Sequence, residues 1–385
     1  MDLDLTEEQA MIRDLARDFA EKEVRPIAEA IDREATFPTA TVARMAELGL
    51  MGIAVPEAYG GSGGDTVGYV LAVEELARAC ASHAVIMSVN NSLYCDPVCK
   101  HGTEEQKARF LTPFAAGQKL GCFALTEPEA GSDASNQSTL AAVDGDGYLL
   151  DGRKIFVTNG REASAAIVFA QTDRTAGHRG ISAFLIEKGT RGFTVVKTED
   201  KLGIRASDTA ELLFERCRVS AASRLGEEGQ GFKIALGALD AGRIGIAAQA
   251  VGIAAAAYEA AAAYARERKS FGVPIGQHQM VQWMLADMAT AIEAARLLTL
   301  RAAWRKDSGA PYGPEAAMAK LFAAETAMRV TTDAIQVHGG YGFIKEYQVE
   351  RYFRDAKITQ IYEGTSQIQK LVIARHLLAG VARVA

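Results

Sequence analysis

The sequence predicts a multidomain α+β protein: an N-terminal helical domain, a middle antiparallel and barrel-like β domain, and a C-terminal four-helix bundle. Three observations lead to this fold class. Apolar residues recur at helical spacing in both ends of the chain, and turn-forming Asp-Gly pairs interrupt its middle. At 385 residues the chain is also long enough for two or three domains. We place the domains at residues 1–119, 120–230 and 231–385.

The N-terminal segment carries repeated helix-start signals. Thr6 with Gln9, and Thr103 with Gln106, have the spacing of capping boxes, in which each side chain bonds the other residue's backbone N–H. Between them, residues 66–81 form an apolar run with helical periodicity. We therefore expect several helices before residue 119.

The middle segment changes to strand-forming residues separated by turns. Asp-Gly pairs at 144–145, 146–147 and 151–152 favour tight hairpin turns. Short runs rich in β-branched and aromatic residues predict strands at 148–150, 155–158, 166–170, 181–186, 193–196 and 209–214. Because no helical pattern separates these runs, an antiparallel sheet is favoured over alternating strand–helix units.

The C-terminal segment returns to helical periodicity. We predict helices over 238–268, 277–306, Pro314 to the Gly339–Gly340 pair, and 365–378. The first is rich in Ala and Gly, whose small size allows neighbouring helices to approach closely. Long helices with short connections are typical of a four-helix bundle.

Composition excludes several classes of function. The chain has 42 Lys and Arg against 48 Asp and Glu, a net charge of −6, and no basic block, which argues against nucleic acid and anionic membrane as partners. The most apolar stretch, 244–258, contains Gln249 and is too short to span a bilayer. The acidic start MDLDLTEEQ shows no signal peptide, and five scattered cysteines predict free thiols. We expect a bacterial cytoplasmic location, or the mitochondrial matrix for a processed form.

Common catalytic motifs are absent or weak. There is no Gly-Lys pair for a phosphate loop, no H-E-x-x-H, and no metal-ligand spacing, so we expect no metal site. Gly226 to Gly231 lacks the strand–helix unit of a nicotinamide-binding fold. The segment around Ser62 matches G-x-S-x-G, but four neighbouring glycines favour a flexible turn over a nucleophile elbow.

Two other segments carry chemistry that a plain turn does not need. In CFALTEPEAGSD (122–133), an apolar run ends in a loop with hydroxyls and with Gly131, where a ligand can approach the backbone. In IYEGTSQIQ (361–369), Glu363 and Gly364 come directly before a helix. Glu363 there is either a carboxylate that favours the helix N-terminus or a general base beside a backbone N–H donor.

Taken together, the motifs resemble the acyl-CoA dehydrogenase family over essentially the whole chain. Besides the two segments above, KIFVTNG (154–160), RKSFG (268–272) and QVHGGYG (336–342) occur in the family's order and spacing. The segments at 85–94 and 199–205 are most similar to the short-chain (butyryl-CoA) branch. The resemblance implies the helical–β–helical architecture and a tightly bound FAD.

The resemblance also implies where FAD binds. The flavin and pyrophosphate would lie along 123–132, and an aromatic face is kept at Phe156, where the family often has Trp. Through the equivalent residues of a neighbouring subunit, further contacts are implied with the adenosine half of FAD. The segment after Glu363 is implied as another flavin contact. The implied FAD contacts are Phe123, Leu125, Thr126, Gly131, Ser132, Phe156, Val157, Thr158, Arg268, Phe271, Gln279, Gln336, Gly339, Gly340, Thr365 and Gln367.

For the substrate, the resemblance implies acyl-CoA contacts at Ser132, Asp240, Arg243 and Gly364, with Arg243 alternatively a plain bundle ion pair. Glu363 would abstract the α-proton, and hydride would pass to FAD. Some branches of the family carry the base at the position of Gly242, which has no side chain to serve. The Glu363 backbone N–H and a flavin ribityl hydroxyl would bind the thioester carbonyl.

The resemblance thus implies oxidation of short-chain acyl-CoA to trans-2-enoyl-CoA, in fatty acid β-oxidation or branched amino acid degradation. Electron-transferring flavoprotein would accept the electrons, and the assembly would be a homotetramer built as a dimer of dimers. Medium-chain or branched short-chain substrates and a flavin acyl-CoA oxidase remain alternatives. A non-enzymatic CoA-ester binder and a serine hydrolase using Ser62 are more distant ones.

Overall fold

The computed structural model describes residues 4–379, so the first residues of the first predicted domain and the last residues of the third lie outside it. The N-terminal part is helical. Its α-helices are α1 Glu7–Phe19, α2 Ala28–Glu34, α3 Thr39–Glu47, α4 Thr66–Ala79, α5 Ala81–Ser88, α6 Asp96–His101, α7 Glu104–Phe110 and α8 Thr112–Ala115, with π-helical turns at Ala20–Val24 and Val89–Cys95. Both predicted capping boxes form, at Thr6 with Gln9 and at Thr103 with Gln106.

The middle part is a mixed sheet. Its strands are β1 Gly121–Ala124, β2 Leu140–Asp144, β3 Gly147–Thr158, β4 Ala165–Gln171, β5 Ile181–Glu187, β6 Phe193–Thr198, β7 Thr209–Ser220 and β8 Arg224–Leu225. The order is β6-β7-β3-β2-β4-β5-β8, with β1 added on β4. Most pairs are antiparallel as predicted, but β1 and β2 each pair with β4 in parallel. Among the described residues, no pairing closes this path into a barrel.

One predicted turn is wrong. The strands expected at 148–150 and 155–158 are a single strand, β3, and Asp151-Gly152 lies within it. The register against β7 shifts between Leu150 and Gly152, so the pair forms a bulge rather than a hairpin. The true hairpin turn is Gly145-Asp146, between β2 and β3.

The C-terminal part is a helical bundle around one long helix. Its elements are α9 Gly231–Glu267, the hairpin β9 Lys269–Ser270 and β10 Val273–Pro274, α10 Gln279–Asp307, α11 Gly313–His338, α12 Val349–Thr359 and α13 Ser366–Leu378. The sequence did not predict α12, and α9 begins before the predicted 238. Helix α9 packs on α10, α11 and α12, and also on α4 of the N-terminal part.

The small residues of α9 explain this central position. At Gly245 an added Cβ would lie 2.2 Å from the Tyr69 hydroxyl on α4, so only glycine permits that approach. By length and composition α9 could cross a membrane, whereas the sequence-based expectation rested on residues 244–258 alone, which are too short. However, 83% of its most apolar window is buried inside the protein, as in a core helix.

Candidate functional site

A cavity of about 680 Å³ lies where the three parts of the chain meet. Its walls are formed by α5 and the following π-helical turn, β1 and the loop after it, the end of β3, residues 199–204 with the start of β7, one residue of α9, and α12 with the α12–α13 connection. The residues used below that line it are Val85, Val89, Leu93, Phe123, Leu125, Thr126, Glu127, Gly131, Ser132, Phe156, Thr158, Leu239, Tyr362, Glu363, Gly364 and Thr365.

The α12–α13 connection turns sharply at two consecutive left-handed residues. Glu363 has φ +53° and Gly364 has φ +88°. This conformation is unusual for a residue with a side chain, so the surroundings must hold it. The Gln369 amide donates to both the Glu363 and the Gly364 carbonyls, at 3.1 and 2.8 Å. Thr365 then caps α13 by accepting from Ile368 N.

The Glu363 carboxyl projects from this corner into the cavity toward α9. Its Oε2 is closed off from solvent and has no hydrogen-bond partner. A Cβ built on Gly242 would lie 2.0 Å from this oxygen and 2.8 Å from Leu93. Gly242 therefore leaves the space that the Glu363 carboxyl occupies, and the two positions face each other across the cavity wall.

The Glu363 backbone is also free on one side. Within residues 4–379, its N–H has no protein acceptor. A base and an unused N–H donor on the same residue form a pair that is suited to a carbonyl compound with an acidic neighbouring C–H.

Burial raises the pKa of Glu363 to about 8, because desolvation disfavours the charged form. The cations of Lys320 and Arg243 act in the opposite direction but do not cancel it. A carboxyl whose pKa lies near neutrality and which faces a cavity is a candidate for proton transfer.

The loop after β1 is anchored by a second buried carboxyl. Glu127 accepts from Lys154 Nζ at 2.7 Å, from the Ser138 backbone and hydroxyl at 2.6 Å each, and from Thr139 N at 3.1 Å. Lys154 also donates to Leu125 O and Gln137 Oε1. These bonds tie both ends of the 125–139 loop to β3 and so fix one wall of the cavity.

Half of the sixteen implied FAD contacts meet at this cavity. Phe123, Leu125, Thr126, Gly131, Ser132, Phe156, Thr158 and Thr365 all line it. Val157 does not: it is 1% exposed and packs in the core of the sheet. Strand alternation explains this, because neighbouring residues of β3 point to opposite faces.

Phe156 is presented to the cavity by a local irregularity of β3. The register against β7 shifts between Lys154 and Val157, and Phe156 has φ +56°. Its side chain is 61% exposed. Together with the open space beside Gly131, where an added Cβ meets nothing within 4 Å, this exposed ring fits a planar aromatic ligand such as a flavin.

The residues predicted at the adenosine half lie elsewhere on the chain. Arg268, Gly339 and Gly340 line a second hollow of about 460 Å³ with Tyr264, His338 and Tyr341. Phe271, at the β9–β10 hairpin, is 97% exposed. Gln279 and Gln336 are also exposed. Gln367, predicted as a flavin contact beside the base, is exposed as well and does not line the cavity. This chain therefore does not bring them to the cavity that holds Glu363.

Two of the predicted substrate residues form an ion pair beside the cavity. Arg243 is buried and donates to Asp240 Oδ1 at 2.5 Å. Neither lines the cavity, whereas Ser132 and Gly364 do. Asp240 and Arg243 therefore lie behind the cavity wall, whereas Ser132 and Gly364 form part of it.

Sequence reasoning missed several residues of the site. Lys320 donates to Gly364 O at 2.6 Å from α11, and Lys154 and Glu127 form the buried pair. The only signal for them was a charged residue in an apolar stretch, such as Lys154 before IFV. Ser62, in contrast, donates to Gly49 O in a turn, as the glycine-rich surroundings suggested.

Comparison with known proteins gives a uniform result. Sequence models of the acyl-CoA dehydrogenase N-terminal, middle and C-terminal domains match residues 6–118, 122–217 and 229–378. The short-chain specific acyl-CoA dehydrogenase of Clostridium acetobutylicum is 53% identical over 374 residues, covering 97% of this chain and 99% of that protein.

Solved structures agree. The butyryl-CoA dehydrogenase of Megasphaera elsdenii is 49% identical with a TM-score of 0.97, covering 98% of this chain and all of that one. A chain from structural work on the electron transferring flavoprotein of Acidaminococcus fermentans is 52% identical, also with a TM-score of 0.97 and the same coverage.

Proposed function

Because the chain belongs to the acyl-CoA dehydrogenase family, an FAD-dependent group of oxidoreductases that act on acyl-CoA, we propose its particular reaction. It converts short-chain acyl-CoA thioesters to trans-2-enoyl-CoA, with Glu363 as the base that removes the α-proton. The observation that carries this proposal is the Glu363 carboxyl, whose Oε2 is buried without a partner in the cavity.

The surroundings of Glu363 suit a base that acts on a weakly acidic C–H. An ordinary glutamate is too weak a base for this purpose. Burial raises the pKa of Glu363 to about 8, so that its ionised form holds a proton more strongly. A bound acyl chain would exclude the remaining water and strengthen this effect.

The same residue supports the developing enolate. The free Glu363 N–H is available to donate to the thioester carbonyl as negative charge grows on its oxygen. Since the carboxyl and the N–H belong to one rigid corner, the α-carbon and the carbonyl are held together in one geometry.

FAD, when bound, supplies the hydride acceptor for the β-hydrogen. Residues Phe123 to Ser132, Phe156, Thr158 and Thr365 would hold its flavin end, as their convergence on the cavity supports. The Lys154–Glu127 pair keeps the loop in place for this role.

We further propose a homotetramer, a dimer of dimers, in which a neighbouring subunit's Arg268 region reaches the adenosine half of FAD. The separation of that region from the cavity supports this. The proposed electron acceptor is electron-transferring flavoprotein. The proposed pathway is β-oxidation or branched amino acid degradation, and the proposed location is the bacterial cytoplasm or the mitochondrial matrix. Medium-chain or branched substrates, and an oxidase, are the alternatives.

The test is an anaerobic visible spectrum of the FAD-loaded protein during titration with acyl-CoAs. Butyryl- or hexanoyl-CoA should bleach the flavin band faster than C8–C12, isobutyryl- or 2-methylbutyryl-CoA. Faster bleaching by longer or branched chains would overturn the short-chain assignment, and a colourless protein that takes up no FAD would overturn the reaction itself.

Glu363→Gln should keep FAD and lose turnover by about 10³-fold or more, because the base is gone. Glu346→Gln, at an exposed position, is the matched control and should behave as wild type. In the wild type, kcat/KM should rise about tenfold per pH unit and level off above about pH 8, since only the ionised carboxyl is a base. Near-full activity of Glu363→Gln would remove Glu363 as the base.

A further inference from the structure

Lys320 is a buried cation that the proposed reaction does not use. It lies on α11 and is 0% exposed. Its Nζ donates to one acceptor, the Gly364 carbonyl at 2.6 Å, and among the described residues no carboxylate lies within ion-pair distance of it. An ammonium in the interior with a single neutral acceptor is costly to stability, so a structural role alone explains it poorly.

The acceptor of Lys320 belongs to the corner that carries Glu363. Gln369 also bonds this corner, but Gln369 lies on α13, immediately after it. Lys320 comes from α11, a different helix that packs on α9. Its bond therefore ties the corner to the same bundle that carries Gly242, the residue that Glu363 faces.

We propose that Lys320 is a positioning residue for Glu363: its ammonium fixes the Gly364 carbonyl and thereby the left-handed corner that directs the Glu363 carboxyl toward Gly242. This inference rests on the proposed role of Glu363 as the base. Lys320 touches the backbone beside the base, and it acts on the reaction through Glu363.

The charge of Lys320 adds a second effect. The charged and titratable groups that face Glu363 are Lys320 on α11, Arg243 on α9, Tyr69 on α4 and the adjacent Tyr362. Burial raises the pKa of both tyrosines, which stay neutral. Arg243 is paired with Asp240, so Lys320 is the main cation that favours ionised Glu363. Burial lowers the pKa of Lys320 itself to about 8, so its charge acts over the rising part of the profile below that pH. Glu325, which interacts with Lys320, is itself bonded to Ser366 and Gln360.

The two effects of Lys320 separate in a pH profile. Loss of the cation raises the pKa of Glu363 further, so the rise of kcat/KM moves to higher pH. Loss of the hydrogen bond loosens the corner and lowers the plateau that is reached when Glu363 is fully ionised. A residue that only supports folding would scale the whole profile without moving its midpoint.

The experiment compares Lys320→Met and Lys320→Gln in the FAD-loaded enzyme, with Lys370→Met as the control at an exposed position of α13. Lys320→Gln keeps a donor for Gly364 O but not the charge. We expect both variants to move the midpoint up by about one pH unit, a tenfold loss below it. Only Lys320→Met should also lower the plateau, and the control should change neither.

A second readout does not depend on turnover. Infrared difference spectra of the FAD-loaded enzyme without substrate report the protonated carboxyl of Glu363, assigned by its loss in Glu363→Gln. Its titration midpoint should rise in both Lys320 variants. A wild-type plateau in Lys320→Met would overturn the positioning role. Unchanged midpoints in Lys320→Gln, which keeps a polar side chain if Lys320→Met fails to fold, would overturn the electrostatic coupling of Lys320 to Glu363. Absence of dehydrogenation in the wild type would instead overturn the proposed function, while the infrared midpoint would still test Lys320.

Discussion

Glu127 and Glu363 line the same cavity, yet their carboxyls are in opposite states. Glu127 is 1% exposed and receives hydrogen bonds from a lysine, a hydroxyl and two backbone N–H groups. Its pKa falls to about 2 because these donors outweigh desolvation. The Oε2 of Glu363 receives no bond, and burial raises the pKa of that residue to about 8.

The difference shows that the donors around a buried carboxyl decide whether desolvation prevails: they outweigh it at Glu127, and at Glu363 they do not. Each glutamate has a buried lysine close by. Lys154 donates directly to the Glu127 carboxylate, whereas Lys320 donates to the carbonyl that follows Glu363. Moving the lysine bond from the carboxylate to the neighbouring backbone leaves Glu363 free to take a proton while its main chain stays fixed.

The largest effect is expected from breaking the satisfied pair. Lys154→Met leaves the Glu127 carboxylate buried without its cation, and we expect a loss of about 3–5 kcal/mol in the free energy of unfolding. Because the pair anchors the cavity loop, FAD retention should fall as well. Urea denaturation and the flavin-to-protein absorbance ratio measure the two losses.

The control for this change is the double variant Lys154→Met with Glu127→Gln. It removes both charges and keeps an acceptor for part of the loop. If the loss in Lys154→Met comes from the stranded charge, the double variant should recover much of the stability. Equal loss in both variants would mean that packing of the lysine stem matters more than its charge.

The next effect concerns the space around the unsatisfied carboxyl. Gly242→Ala places a Cβ where Glu363 Oε2 now lies, 2.0 Å away, so the carboxyl must move. A displacement of this size should lower kcat by about 10²-fold. Gly237→Ala is the matched control, since it lies on the same helix and its added Cβ meets nothing within 4 Å. Wild-type kcat in Gly242→Ala would show that the carboxyl relocates at no cost.

Much of the fold was predictable because its signals are local. Capping boxes, turn pairs and helical periodicity depend on residues a few positions apart, and they gave the helical–β–helical order. The parallel pairing of β1 and β2 with β4 could not be predicted, because it joins segments that no local pattern relates. The Asp151-Gly152 pair is of the type that favours a hairpin turn. Here it forms a bulge instead, because β3 continues to pair with β7 on both sides of it.

The residues of the site also divide into those with a local signal in the sequence and those without one. Glu363 and the loop residues were predicted because a contiguous motif carries them. Lys320, Lys154 and the facing Gly242 act through contacts between distant segments, so their environment appears only in three dimensions. The roles of Glu363 and of the flavin contacts stay predictions until they are measured.

The last contrast is one of sign, because the same substitution should change stability in opposite directions at the two glutamates. Glu127 has a lowered pKa, so it contributes stability above about pH 4.5 that is lost as pH falls toward 2. Glu127→Gln should destabilise the protein by about 2 kcal/mol at pH 7, less than Lys154→Met, because Gln keeps an acceptor and the buried Lys154, whose pKa is lowered to about 8, can lose its proton.

Glu363 has a raised pKa, so the folded state holds its proton between about pH 4.5 and 8 while the unfolded chain has lost it. Wild-type stability from this residue thus falls as pH rises through that window. Glu363→Gln has no proton to lose, and we expect a gain of roughly 3 kcal/mol at pH 7, about 1.4 kcal/mol for each pH unit above 4.5, that disappears near pH 4.5. Urea denaturation of both FAD-loaded variants at the two pH values tests the contrast. A loss of stability in Glu363→Gln at pH 7 would show that the carboxyl has a partner in solution, and the distinction between the two glutamates would fail.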